Sequence, residues 1–220
     1  KKINIKWVIK PTAARIRMNF SNFPRLYLEK IVSNIKLIFF IIMRLLIYLI
    51  IITTSNVFSQ ELVLGEERIE PGIVFVFEGA IKDKVYPISL NLEEKYTDVH
   101  IEARVNWDSN NLPNGTPPGG FIPYLKMSAI ITNQKTNDKI LVDLIPHINL
   151  IDNFHYAKNI SLPGEIDERY RVKFIVRPPE MTTLYFHNDW TKSYSKSLFD
   201  EVSFEYDDVD FEEIASSSRN

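Results

Sequence analysis

The sequence predicts an all-β domain, an immunoglobulin-like antiparallel β-sandwich, preceded by a hydrophobic export segment. Three observations lead there. Residues 1–59 carry ten basic side chains against a single acid, Glu29, whereas the rest of the chain carries sixteen basic and twenty-seven acidic ones. All seven glycines and ten of the twelve prolines lie beyond residue 59, so turn chemistry belongs to the second part. From Gln60 onward, apolar and polar residues alternate with period two between turn clusters, and no helical stripe competes with that pattern.

The first part reads as a basic leader. Residues 37–52 (LIFFIIMRLLIYLIII) are broken only by Arg44 and run into the small, polar stretch TTSNVFSQ. A frame opening at Met43 supplies one positive charge, an apolar core of the length an export signal needs, and Val57 and Ser59 at the cleavage positions, leaving Gln60 as the new N-terminus. The alternative is an uncleaved inner-membrane anchor over 37–59, opening upstream, for instance at Met18; its basic flank stays inside. Either reading exports the acidic domain, and the membrane is met only through this segment. A nucleic-acid arm is excluded because aliphatic residues fill every face of the stretch.

In the second part, residues 97–107 give the clearest strand: Val99, Ile101, Ala103, Val105 and Trp107 share one face, and Asp98, His100, Glu102, Arg104 and Asn106 share the other. The first face belongs in a core and the second in water. Further strands are expected over 73–81, 85–90, 122–132, 139–145, 155–161, 170–177 and 199–209. Short strands separated by clusters such as LPNGTPPGG and NQKTNDK fit a sandwich or a barrel, and the strand count over this length favours the sandwich. By parity the core draws on Phe75, Phe77, Val99, Ile101, Val105, Leu125, Met127, Ile131, Leu141, Val172, Phe174, Val176, Phe204 and Tyr206. The organisation is then a leader over 1–59, a β-sandwich domain over 60–211 and a polar tail over 212–220, with the acids from Asp207 to Glu213 forming a solvated end.

Composition narrows the chemistry. With 45% hydrophobic and 25% charged residues the chain escapes bulk disorder, and zero cysteines exclude thiolate zinc sites, iron–sulfur ligation, thiol nucleophiles and an acylated-cysteine anchor. Ser128 and Ser161 lack a triad signature, and neither a GxSxG elbow nor a phosphate-cradling glycine loop is present. A binding protein is expected, not an enzyme.

Any transition metal must therefore rest on His, Met, Asp or Glu. The four histidines are His100, His147, His155 and His187. His100 and Glu102 project side by side from one strand face. His147 and His155 flank a seven-residue loop, and His187 stands in LYFHNDW before the last strand. Taken singly, each is a surface or hydrogen-bonded residue. Taken together, four imidazoles and a carboxylate suit copper, zinc or iron. The competing reading is an exported adhesion or interaction module with incidental histidines, anchored by Trp107, Tyr185 and Trp190. Convergence of the histidines in space separates the two.

The segments DVHIEA, GFIPYL, LIPHINLIDNFHYAKNI, RYRVKFIVRPP, FHNDW and FDEVSFEY follow one another in an order that resembles the periplasmic iron-transport protein family, over roughly residues 61–211. The opening LVLGEERIEPGIVFVFEGAI resembles the family's start and places it near Gln60. The resemblance implies an immunoglobulin-like sandwich, a homodimer, and a copper site of three histidines and a methionine beside a glutamate, in a protein that accompanies an inner-membrane iron permease. On that resemblance His100 and Glu102 match the histidine and glutamate of the DxHxEA motif, His155 matches the histidine of the HY pair, His187 matches the last histidine, and His147 stands where the family has methionine. A thioether favours Cu(I), whereas imidazole suits Cu(II), Zn(II) and iron, so the exchange moves the expected preference toward oxidised copper or zinc. Iron is expected at the same site or at a harder-ligand position built from Glu102 and Asp98. The loop before His155 is one residue longer than the family's and lacks its Gly-Pro.

Overall fold

The computed structural model describes residues 25–53 and 61–218, and side chains over 29–46 and 61–218. The chain divides into two units, Lys1–Phe58 and Ser59–Asn220. In the first, a helix α1 runs over Arg25–Thr53, as a largely apolar stretch without Gly or Pro allows. Among the described residues, no helix is long and apolar enough to cross a membrane. The side chains of residues 47–60, and with them the expected cleavage positions Val57 and Ser59, lie outside the described residues.

The second unit is all-β, as expected. Its strands are β1 (Glu61–Ile69), β2 (Ile73–Ala80), β3 (Val99–Trp107), β4 (Lys126–Asn133), β5 (Lys139–Ile148), β6 (Phe154–Ile160), β7 (Arg169–Arg177) and β8 (Val202–Asp210), with short helices α2 (Asn188–Ser193) and α3 (Glu212–Ser216). Every neighbour pairs antiparallel, in the order β1-β2-β3-β6-β5-β4-β7-β8. β5 makes the corner. Its first half pairs with β4 and its end, Ile145 to Ile148, pairs with β6, so one strand serves both layers. The outer strands β1 and β8 meet where the Tyr206 ring lies against Gly65 and its hydroxyl donates to Glu67 Oε1 at 3.3 Å. The result is a nearly closed barrel-like sandwich.

The inner faces fill with the expected alternating residues. Phe77 stacks on Phe174 across the layers at 4.2 Å and on Phe75 at 5.8 Å. Val99, Ile101, Ala103 and Val105 of β3 are fully buried, as are Ala129 and Ile131 of β4 and Val172 and Val176 of β7. Phe204 and Tyr206 are partly buried against that core. Tyr156 ties the 122–125 segment to it, donating to the Ile122 carbonyl at 2.9 Å and accepting from the Leu125 amide at 3.0 Å.

The structure corrects several expectations. Leu141 is exposed, because β5 turns Ile140, Val142 and Leu144 inward instead. Residues 85–90 are not a strand: the stretch ends in a single 3-10 turn, Ile88–Leu90. β1 is absent from the strands that periodicity found, since a register shift between Val63 and Gly65 breaks its alternation. Asp207, Asp208, Glu212 and Glu213 are exposed, as expected, but the chain end that carries them is held in place. Asp207 and Asp210 pair with Arg171 and Arg169, and α3 buries Ile214 and Ala215 beside Phe211.

The most consequential difference concerns the polar face of β3. It is not wet. His100 is 4% and Glu102 1% exposed, and Glu78 on the adjoining strand is fully buried. The segment between β2 and β3 folds back over this face, where the carbonyls of Asp83 and Leu92 accept from Asn159 and that of Leu90 accepts from Lys158.

Candidate metal centre

Pairing register explains why three of the four histidines meet. His147 and His155 are direct partners across β5 and β6, and His100 lies opposite Asn159, which shares a face with His155 two positions beyond Ala157. The hairpin between them closes through Asn149, whose side-chain oxygen accepts the amides of Ile151 and Asp152, and through Asn153 at φ 63°, a left-handed conformation asparagine tolerates. The longer loop therefore keeps the two histidines in register without a Gly-Pro.

The three rings form a cluster. Their centroids are 5.3 Å (His100–His147), 6.1 Å (His100–His155) and 5.9 Å (His147–His155) apart, and one ring nitrogen from each lies within 4.8 Å of the others. A cleft of about 480 Å³ opens onto them between Tyr86 and Ile148.

Neighbouring groups orient the rings. Asn159 Nδ2 donates to the carbonyls of Asp83 and Leu92, which leaves Asn159 Oδ1 as an acceptor 2.7 Å from His100 Nδ1. The proton of His100 is thereby placed on Nδ1. His155 Nδ1 in turn faces the Asn153 carbonyl at 3.1 Å. Both rings then present Nε2 inward, and these two atoms stand 3.8 and 3.7 Å from one oxygen of Glu102.

Two atoms here are buried without a hydrogen-bond partner: His147 Nε2 and Glu102 Oε1. An orphaned polar atom costs roughly 1–3 kcal/mol, and a cation held by the three imidazoles would satisfy His147 Nε2. Burial and the adjacent His100 and His155 push the His147 pKa down to about 4, so the ring is neutral at physiological pH, as a ligand must be. Burial and the surrounding Glu78, Asp152 and Glu61 push Glu102 up to about 8, against the pull of Arg104. On these observations the donor set fits a borderline transition metal.

A second group adjoins the first through Glu102: Glu61, Glu102 and Asp152 each offer an oxygen within 4.8 Å of the others. Asp98, expected in a harder-ligand position, is elsewhere, accepting from Ser161 Oγ and the Leu162 amide. Asp152 and Glu61 were not anticipated. The first sits in an irregular hairpin and the second on a strand without clean alternation, so no periodicity marks either. Asn159 could have been found by parity with His155.

His187 does not join the cluster. It is exposed at the start of α2 on a surface shared with Trp107 and Trp190, whose rings meet edge-on at 6.3 Å. Of the aromatic residues named for an interaction module, Trp107 and Trp190 thus pack on each other, while Tyr185 is exposed. The hydroxyl of Ser128 donates to Asp143 and that of Ser161 to Asp98.

With this geometry the family assignment becomes direct, for the sequence model described as "Fe2+ transport protein" matches residues 58–213. The chain belongs to the Fe2+ transport protein family. Solved structures of the same fold include a copper-bound variant of FetP from uropathogenic Escherichia coli, with a TM-score of 0.56 and 23% identity over 68% of this chain and 96% of that one. FetP isolated after expression in the E. coli periplasm gives 0.56 and 24% over 68% and 95%. Copper-reconstituted P19 from Campylobacter jejuni gives 0.57 and 22% over 68% and 95%. At such identities the likeness to these structures is one of fold. No curated protein matches the chain.

Proposed function

We propose that this protein holds copper outside the cytoplasmic membrane as part of a bacterial iron-uptake system and delivers iron to an inner-membrane permease. Family membership supports the transport role. The observation that carries the metal reading is the convergence of His100, His147 and His155 around the unpartnered, buried His147 Nε2. His100 and His155 would ligate through Nε2, with Glu102 beside them to balance charge. Copper bound there would supply a redox-active cation adjacent to the carboxylates Glu61, Glu102 and Asp152, whose hard oxygens suit iron as cargo. With imidazole in place of thioether at 147, Cu(II) and Zn(II) compete on nearly equal terms and Cu(I) loses its advantage.

A role for His187 as a ligand requires a second copy of the chain, which agrees with a homodimer. The basic leader directs the domain to the periplasm, cleaved or anchored. The adhesion reading loses its premise because three of the four histidines meet.

Titration of the full chain with Cu(II) tests the proposal. One tight copper per chain is expected, weakened about a hundredfold or more in His100→Ala, as loss of a ligand and its orienting network requires. Copper bound equally well by that variant would remove the proposed site. His147→Met is expected to raise Cu(I) affinity and lower Zn(II) affinity.

A further inference from the structure

Arg104 has no place in the imidazole site, yet it stands among the carboxylates beside it. Its guanidinium grips Glu78 with two hydrogen bonds, Nε to Oε2 at 2.8 Å and Nη2 to Oε1 at 2.6 Å. From that fixed position Nη2 lies 3.9 Å from Glu61 and Nη1 lies 4.0 Å from Asp152. At those lengths the cation attracts both carboxylates without hydrogen bonding to either. Glu61, Asp152 and Glu102 are the three acids whose oxygens converge, and Glu102, 1% exposed, has an oxygen with no partner.

We infer that Arg104 is a built-in counter-cation that keeps this carboxylate group an exchangeable site for a hard divalent ion, of the Fe(II) or Mn(II) class, instead of a permanent one. The inference deepens the transport reading and rests on it. The physical argument is one of charge. Three carboxylates in a partly buried setting would bind a divalent ion tightly, because water and salt screen them poorly. A guanidinium held within about 4 Å of two of them opposes the ion throughout, while its own hydrogen bonds go to a fourth acid, Glu78, that the cluster does not use. The ion can enter, since oxygen atoms remain directed at one another, and it can leave, since the site is already partly neutralised. Cargo meant for release needs that balance. The fork geometry of arginine holds the charge in place without filling the site, which a flexible lysine would do less well.

The test uses Mn(II) alone, followed by the loss of its free-ion EPR signal on addition of the full chain. Weak binding is expected for the unaltered protein. Arg104→Gln should bind Mn(II) about tenfold tighter or more, and Arg104→Lys, which keeps the charge, should stay within about threefold of the parent. Should Arg104→Gln fail to fold with Glu78 left unpaired, the double variant Arg104→Gln/Glu78→Gln replaces the ion pair by two amides and, because an acid leaves together with the cation, should show a smaller tightening of about two- to threefold. Cu(II) titrated in parallel is expected to bind all forms alike, which marks a folded domain and keeps the copper reading separate. Mn(II) affinity unchanged or weaker in the folded variants overturns the inference, and so does an absence of Mn(II) binding in every form.

Discussion

Asn159 is the residue on which the orientation of His100 depends. Its amide is fixed by two backbone carbonyls, so its oxygen can only accept, and His100 must donate from Nδ1. Asn159→Leu should therefore weaken copper about 10- to 100-fold although position 159 never touches the ion, while Asn159→Asp, which keeps the acceptor, should lose less; competition titration with a chelator of known affinity reads both. Two neighbouring groups give the metal-free protein a particular pH dependence. Glu102 has its pKa raised to about 8 in the fold, so its contribution is complete below its ordinary value near 4.5 and is lost as pH rises through 8. His147 has its pKa lowered to about 4, so its contribution is present above its ordinary 6.5 and is lost as pH falls toward 4. The two oppose each other below 6.5. Of these two groups Glu102 alone acts between pH 6.5 and 8, and its share of the metal-free stability should fall there by on the order of 1–2 kcal/mol, the part of the slope that Glu102→Gln removes. Denaturant melts at several pH values measure it, and a flat profile in the parent would contradict the assignment.

At the scale of elements, β5 shows both what pattern reveals and where it stops. Its existence was legible from alternation, but its parity was not, because a strand that serves two layers turns different faces to different neighbours along its length. Leu141 looked like core and is 67% exposed, while Leu144 is 3% exposed. Leu141→Ser should stay within about 0.5 kcal/mol of the parent, and Leu144→Ala should cost about 2–5 kcal/mol in thermal or chemical melts. β1 carries the complementary lesson. Its bulge at Gly65 hid it from period-two analysis, and the same glycine makes room for Tyr206, whose ring a Cβ there would overlap. Gly65→Ala should destabilise the domain by about 1–3 kcal/mol, and part of that should return when Tyr206→Leu is added. The segment over 81–97 was read partly as a strand because hydrophobic residues recur in it; its work is to cover the β3 face, a tertiary role that leaves no periodic mark.

For the molecule as a whole, the boundary between the two units, Lys1–Phe58 and Ser59–Asn220, coincides with the change from a basic to an acidic, turn-rich sequence. The pairing of His147 with His155 was foreshadowed by their places at the two ends of one hairpin, and the pairing of His100 with Glu102 by strand parity. What could not be read was burial. Alternation marks two faces of a strand but not which segment will later lie across one of them, so a face that looked solvated became the walls of a polar pocket. The carboxylates Glu61 and Asp152 and the guanidinium of Arg104 entered the site by the same route, through register between strands distant in sequence. His187 marks the other limit, since its place in the chain resembles that of a ligand and its place in the fold is an exposed surface beside Trp190.

The account stands on one copper ion held jointly by imidazoles from β3, β5 and β6. Pulsed EPR of the Cu(II)-loaded full chain addresses this most directly, through the remote-nitrogen signals of coordinated histidine. Signals from at least three imidazoles are expected, reduced by one in each of His100→Ala, His147→Ala and His155→Ala. A spectrum from a single imidazole, or one that none of the three substitutions alters, would contradict it.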